Sequence, residues 1–99
     1  MGEGAANMVI LAPSDNVGIA LRDIPAGNLA RTMAGMALEA EETIPQGHKI
    51  ALANIVQGAL ILRFGVPIAI TTADIPQGRL VHVHNVASRY LTNDEDHYE

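Results

Sequence analysis

The sequence contains no cysteine, which excludes a disulfide framework, a zinc ribbon and a thiol nucleophile. It has no uninterrupted apolar run that could span a membrane, because the best stretch, residues 59–73, contains Arg63 and Pro67. The first four residues lack the basic start that is typical of a signal peptide. These absences indicate a cytoplasmic protein without a membrane partner.

Positive charge is scarce, since six Lys and Arg residues stand against eleven Asp and Glu residues, and the net charge is −5. Four of the negative charges lie in the last six residues, at Asp94, Glu95, Asp96 and Glu99. The sequence has no basic patch, so we do not expect nucleic-acid binding. We interpret residues 1–10 as an N-terminal segment with the first strand, 11–87 as the domain, and 88–99 as an acidic tail or linker.

The length of the chain limits what it can do by itself. At 99 residues it forms one domain, which buries only roughly 60–65% of the surface that the unfolded chain exposes. Hydrophobic residues make up 48% of the chain, so it is not a disordered segment. A core of this size leaves little room for a deep, walled active site, and we do not expect the chain to be active alone.

An Ile-x-x-Gly pattern occurs four times, at residues 24–27, 44–47, 55–58 and 75–78. The spacings are 20, 11 and 20 residues, so a shift of 31 relates the first pair to the second and indicates two similar halves. In three of the four cases proline follows the isoleucine, and proline with a later glycine is typical of a tight turn. Short polar residues able to bond the turn backbone precede the isoleucines: Asp23, Thr43, Asn54 and Asp74.

Four such corners joined by short strands predict a mainly β fold, a compact barrel or clip of bent hairpins. Strands are predicted at residues 8–11, 17–21, 48–52, 60–64, 68–72 and 79–86, with a turn at 65–67. Residues 29–42 are rich in helix formers. The repeat pairs them with the strand-like residues 60–71, so we predict strands with at most one short helix there. Residues 85–90 could form a further helical turn.

Histidine and lysine follow the glycine corners. His82 and His84 lie two apart on the predicted strand 79–86, so they would share a face and could ligate a metal or bind an anionic oxygen. His48 and Lys49 follow Gly47 as Arg79 follows Gly78, and cations on equivalent corners could clamp an acidic substrate. Asn85 could bond a hydroxyl or the backbone. The alternative is that these are ordinary exposed residues beside turns, and His97, in the acidic tail, is interpreted as inert.

These motifs resemble a known family. Residues 74–78 followed by 81–86 resemble the closing signature of the N-terminal domain of altronate and galactarate dehydratases, and residues 44–52 resemble its Gly-His-Lys motif. Residues 64–68 are similar to its aromatic-Gly-x-Pro-Ile turn, and residues 15–17 resemble its opening. The resemblance spans roughly residues 11–87, in the family's order. It implies the small β-clip domain called SAF, which precedes a large catalytic domain or, as in sulfolactate sulfo-lyase, forms a separate small subunit.

The resemblance also implies a reaction, the removal of water from a sugar acid to give a 2-keto-3-deoxy acid. A base takes the proton beside the carboxylate, and a divalent metal, iron or manganese, would stabilise the enediolate in the complete enzyme. The expected partners are a large catalytic dehydratase subunit or domain and the sugar-acid substrate. The expected site residues are His48 and Lys49 for catalysis, Arg79 and Asn85 for substrate binding, and His82 and His84 for the metal.

Two other functions stay open at this point. The chain could be a non-catalytic module that binds sugar acids or other carbohydrates. It could also be a structural domain that forms homo-oligomers through its sheet edges. The sequence does not choose among altronate, galactarate and sulfolactate, and it does not decide between a natural subunit and an excised domain.

Overall fold

Two β-hairpins, each held between a pair of Ile-x-x-Gly corners, define the architecture in the computed structural model, which describes residues 5–88. The first four residues and residues 89–99, with most of the acidic tail and His97, lie outside the described residues. Within residues 5–88 the chain forms nine short strands and no helix. The strands are β1 Met8–Val9, β2 Val17–Ala20, β3 Leu29–Arg31, β4 Ala37–Glu39, β5 Lys49–Ala51, β6 Leu60–Arg63, β7 Val66–Thr71, β8 Leu80–Val81 and β9 Val86–Ser88.

The strands pair antiparallel in three small sheets. The central sheet has the order β1-β2-β5-β8, and it is flanked in sequence by the hairpin β3-β4 and by the sheet β6-β7-β9. This confirms the predicted mainly β fold. The preference for strands over a helix in residues 29–42 is also confirmed, because Gly35, at a φ of 99°, lies in the turn between β3 and β4.

Three local predictions were wrong. Residues 86–88 form β9 and pair with β7, so they are not a helical turn. The predicted strand 79–86 ends at Val81, and residues 82–85 form a turn. The turn expected at residues 65–67 lies one residue earlier, because Phe64 and Gly65 have φ values of 56° and 74° and Val66 already belongs to β7. Two successive positive φ values are typical of the two-residue type I′ hairpin.

The four corners form two mutually bonded pairs, one in each of the two similar halves that the shift of 31 indicated. Ile24 and Ile44 exchange both backbone hydrogen bonds at 2.8 Å, and Ile55 and Ile75 do the same at 2.8 and 2.7 Å. All four isoleucines are buried, at most 6% exposed, and burial of each side chain stabilises the fold by about 1.5–3 kcal/mol. The corner glycines have φ values of 84–89°, a region that glycine adopts without the strain of a Cβ.

The polar residue before each isoleucine bonds the opposite corner of its pair, not its own turn. Asp23 accepts a hydrogen bond from the Gln46 backbone N–H at 2.8 Å. The same contact recurs in the second half, where Asn54 accepts from the Gln77 backbone N–H at 2.9 Å. In the reverse direction, Thr43 accepts a hydrogen bond from the Ala26 backbone N–H, and Asp74 accepts one from the Gln57 backbone N–H. The residue type was predicted correctly, but the partner is 17 or 23 residues away.

Each half has its own apolar core, and β5 lies between them. Ile50 belongs to the cluster of the first half, and Ala51 belongs to the cluster of the second half. Because side chains alternate between the faces of a strand, Lys49 shares the face of Ala51, and His48 shares the face of Ile50. The two cores therefore direct these neighbouring polar residues to opposite faces of the central sheet.

Asp15 is a buried carboxylate that holds the tip of the hairpin β6-β7. Its oxygens accept hydrogen bonds from the backbone N–H groups of Phe64 and Gly65, both at 2.8 Å, and of Ala12 at 3.1 Å. Burial by itself would raise the pKa of Asp15, but the N–H groups of Gly65, Phe64 and Ala12 favour the charged form more strongly. The pKa is therefore lowered from its ordinary value of 3.8.

Candidate functional site

His48 and His82 meet at one end of the central sheet. The register of β5 and β8 pairs Lys49 with Val81 and Ile50 with Leu80, so the next positions opposite one another are His48 and His82. Their ring centroids lie 4.8 Å apart with an interplanar angle of 59°. His48 Nδ1 lies 3.4 Å from the Gln46 carbonyl oxygen, and donation from Nδ1 leaves Nε2 as the acceptor of the neutral ring.

A cavity of about 480 Å³ lies on the other face of β5, beside the sheet β6-β7-β9. Lys49 and His82 line it, so His82 belongs both to this cavity and to the contact with His48. Of residues 5–88, nearly all others that line it are apolar and none is acidic: Ile61, Ile68, Ala69, Val81, Val83, Val86, Ala87 and Ser88. The arrangement brings one ammonium group and one imidazole to the wall of an otherwise apolar space, which we call the Lys49 cavity.

Lys49 is half-buried and has no carboxylate partner. Within residues 5–88 its ammonium group forms neither a hydrogen bond nor an ion pair. Burial lowers the pKa of Lys49 below its ordinary value of 10.5, and the positive charge of Arg63, at the end of β6, lowers it further. Both effects disfavour the ammonium form, since it is costly to desolvate and lies near another cation. An anion bound in the cavity would offset both the desolvation of the ammonium group and its repulsion by Arg63.

The structure separates His82 from His84, which the predicted strand placed on one face. The cause is Asn85, a buried residue whose side chain stabilises the turn 82–85. Asn85 accepts a hydrogen bond from the His82 backbone N–H at 3.0 Å and donates one to the Leu80 carbonyl at 2.8 Å. His84 then lies in a different groove. Of the two roles expected of Asn85, the backbone contact is the one that its geometry shows.

Arg79 also lies away from Lys49. It lines a groove of about 330 Å³ together with Glu42, Asp74 and His84. Its guanidinium group lies 3.9 Å from the Glu42 carboxylate, and both side chains are more than a third exposed, so the pair contributes little to stability. Arg79 thus lines a different space from Lys49, and the expected cationic clamp on the substrate stays a prediction.

Sequence reasoning missed Glu42. Besides its contact with Arg79, its carboxylate accepts a hydrogen bond from the Leu80 backbone N–H at 2.8 Å and so holds the start of β8. The repeat offered no signal for this role, because the position 31 residues later is Ala73. The apolar wall that β9 contributes to the Lys49 cavity was also missed, because residues 85–90 were interpreted as a possible helical turn.

The donor groups of residues 5–88 do not fit a complete site for the divalent metal that the resemblance implies. No three His, Asp or Glu side chains of this part of the chain are grouped where they could hold a metal ion. His82 lies against His48, whereas His84 lies in the groove of Arg79. We therefore derive no chemical step through a metal, and the assignment of His82 and His84 as ligands stays a prediction.

The fold and the site define a class of small all-β domain, built from two repeated halves, with a cavity beside the second half that one lysine and one histidine line. Residues 6–89 match the family model of the altronate/galactarate dehydratase SAF domain, and the chain belongs to this family. The resemblance stated from the sequence motifs is thereby confirmed. The part of the chain that the structure describes contains no helix long and apolar enough to cross a membrane.

Relatives within the family include both whole enzymes and a subunit. The altronate dehydratase of Bacillus subtilis (strain 168) is 42% identical over 71 residues, or 72% of this chain and 14% of that enzyme. The altronate dehydratase of Escherichia coli (strain K12) is 33% identical over 85 residues, or 86% of this chain and 17% of that enzyme. The alpha subunit of (2R)-sulfolactate sulfo-lyase from Chromohalobacter salexigens is 33% identical over 54 residues, or 54% of this chain and 57% of that subunit. The chain thus spans less than a fifth of the dehydratases that it matches.

Proposed function

We propose that this chain is the small β domain of a sugar-acid dehydratase of the altronate/galactarate type, acting in the cytoplasm with a large catalytic subunit or domain. In this proposal it presents Lys49 and the His48–His82 pair to a site that the large partner completes. The observation that supports it best is the meeting of two segments distant in the sequence, which puts an ammonium group and an imidazole on one cavity wall.

Each of these groups has a role in removing water from a hydroxy acid. The Lys49 ammonium binds the substrate carboxylate, and the apolar wall strengthens this attraction by lowering the local dielectric constant. His82 holds or moves the proton at the neighbouring carbon or at the departing hydroxyl. His48 is a positioning residue, because its ring packs against His82 and its own Nδ1 faces the Gln46 carbonyl.

In the complete enzyme a divalent metal would stabilise the negative charge that develops on the carboxylate side of the substrate. Its ligands would have to come largely from the partner, since residues 5–88 do not assemble a ligand set. The polar surface that a polyhydroxylated acid needs would also come from the partner, because the Lys49 cavity is mostly apolar. The domain interface is therefore the place of the reaction in this proposal.

Reconstitution tests the proposal directly. The chain is combined with the large dehydratase subunit of the same organism, or kept joined to it where the two are one polypeptide, and formation of the 2-keto-3-deoxy acid is followed. We expect Lys49→Met and His82→Gln to lower kcat/KM by about 10²-fold or more. Arg22→Gln, an exposed substitution away from the cavity, is the matched control and keeps the wild-type rate.

Two outcomes contradict the proposal. The first is a large subunit that is fully active without this chain. The second is a sugar acid that binds the isolated chain equally well with Lys49→Met and His82→Gln, which would support the non-catalytic binding module instead. His84→Gln, assayed alongside, tests the predicted metal-ligand role of that residue, because loss of metal from the complex would accompany loss of activity.

A further inference from the structure

Lys49 is the only lysine of the chain, and within residues 5–88 it is the only amine that lines the Lys49 cavity. Among the described residues no acidic side chain lines this cavity, and the charge that acts on Lys49 is that of Arg63 on β6. His82 is the other titratable group on the wall, and β7 and β9 contribute no charged residue to it. An amine in such surroundings has a second chemistry besides ion pairing, which is nucleophilic attack on a carbonyl carbon.

The shape and lining of the cavity select a kind of ligand. Its volume of about 480 Å³ is within the usual range of small-molecule pockets. A ligand with a hydroxyl on every carbon would lose hydrogen bonds to water without replacing them on these apolar walls. A short 2-oxo acid suits the lining better, because it has one carboxylate, one ketone and an otherwise hydrocarbon body.

We propose that the Lys49 amine condenses with the ketone of a short 2-oxo acid in this cavity to form an imine. The nitrogen lone pair attacks the carbonyl carbon, and the carbonyl oxygen takes up protons and leaves as water while the C=N bond forms. Atoms balance without an oxidant or reductant, since amine and ketone give imine and one water. The positive charge of Arg63, which acts on Lys49 from β6 without lining the cavity, also attracts the carboxylate of the acid, and the protons that the oxygen takes up are those that the amine nitrogen releases.

The electrostatics of the site support the reactive form of the amine. Burial and the charge of Arg63 lower the pKa of Lys49, so more of the neutral, nucleophilic amine is present than for an exposed lysine at the same pH. The inference depends on the proposed function only for the source of the acid, because dehydration of a sugar acid yields a 2-oxo acid. The condensation itself needs only this chain.

Reductive trapping tests the imine on the full chain. The chain is incubated with pyruvate and sodium cyanoborohydride near neutral pH, and the secondary amine formed at Lys49 is quantified by peptide mass spectrometry. We expect Lys49 in the folded chain to be trapped faster than in the same chain unfolded in urea, because its lowered pKa leaves more of the neutral amine. A rate in the folded chain equal to or below the unfolded rate overturns the proposal.

Variants separate the roles in this reaction. Lys49→Arg removes the adduct, and Arg63→Gln slows trapping by pyruvate more than trapping by acetone, which has no carboxylate. Arg22→Gln is the control and leaves the rate unchanged. Equal slowing with both ketones would overturn the role of Arg63 in attracting the carboxylate. If no adduct is trapped but Lys49→Met still lowers dehydration by the reconstituted enzyme, the imine alone is overturned. If the adduct is trapped but Lys49→Met leaves dehydration unchanged, the proposed function alone is overturned.

Discussion

The imidazole rings of His48 and His82 lie 4.8 Å apart, at the positions directly before β5 and directly after β8. They are separated by 34 residues in the sequence, and the antiparallel register of two very short strands brings them together. The contact joins the glycine corner at Gly47 to the turn that Asn85 stabilises. A change in either strand's register would move one imidazole to the other face of the sheet.

A double-mutant cycle measures this contact. His48→Ala and His82→Ala should show a coupling in the free energy of unfolding of about 0.5–1.5 kcal/mol, because aromatic rings at this distance interact beyond their buried area. The measurement is urea denaturation of the two single variants and the double variant. His84→Ala is the matched control, and its effect should add to that of His48→Ala without coupling. Equal coupling in both cycles would show that the ring contact contributes nothing specific.

Replacing Asp15 should destabilise the domain in a pH-dependent way. Asp15→Asn leaves one carbonyl oxygen to serve three backbone N–H groups, and we expect a loss of about 2–3 kcal/mol near neutral pH. The pKa of Asp15 is lowered in the folded state, so its stabilisation is fully present above the unfolded value of 3.8 and is lost as the pH falls through the folded value. Denaturation curves of both proteins should converge in acid. A pH-independent difference would contradict this account.

Gly78 and Gly47 occupy equivalent corners but should differ in their tolerance of a methyl group. Both have positive φ, 89° and 84°, so alanine at either position costs about 1–2 kcal/mol of backbone strain. At Gly78 an added Cβ would also clash with the Glu39 carbonyl oxygen, whereas at Gly47 it would meet no described atom within 4 Å.

We therefore expect Gly78→Ala to destabilise the domain by about 1–3 kcal/mol more than Gly47→Ala, the usual cost of overpacking. Thermal and urea denaturation of the two variants check the difference. If Gly78→Ala does not express as a folded protein while Gly47→Ala does, positive φ, which both positions share, is not sufficient to prevent folding. The clash at Gly78 then accounts for the difference. Equal destabilisation of both variants would leave φ as the sole cause.

Lys49→Met should remove a charge that the folded state disfavours. Since burial and Arg63 lower the pKa of Lys49 in the folded protein, the unfolded chain binds more protons between the lowered value and 10.5. The stability of the wild type relative to Lys49→Met should therefore rise as the pH increases through that window. Arg22→Gln should show no such trend, because its guanidinium stays charged. Urea denaturation across this range provides the measurement, and a flat or falling difference contradicts the prediction.

The repeat and its corners could be predicted from the sequence because they depend on local chemistry. Proline and glycine restrict the backbone at the four turns, and isoleucine supplies an anchor for the core wherever the chain folds back. The motifs around Lys49 and Asn85 also identified the family before any geometry was known. The two similar halves followed from the shift of 31, since equivalent sequences fold into equivalent units, whereas the bonds between corners were seen only in the fold.

The grouping of site residues was not predictable in the same way. Alternation in residues 79–86 is typical of a strand, yet the Asn85 side chain takes the backbone bonds that a longer strand would need. That contact separates His82 from His84, and Glu42 binds Arg79 from another element. These outcomes depend on hydrogen bonds and ion pairs between segments, for which the local pattern carries no signal.

The sequence by itself determined the mainly β fold, the four corners and the family of this protein, because backbone restriction and hydrophobic spacing act over a few residues. Tertiary structure decided which polar groups share a cavity. Lys49 reaches the cavity because β5 lies between two cores and alternates its side chains between them, and His82 lines the same cavity from the turn after β8. The contacts that build the cavity join residues of five different strands, and only packing in three dimensions brings these strands together.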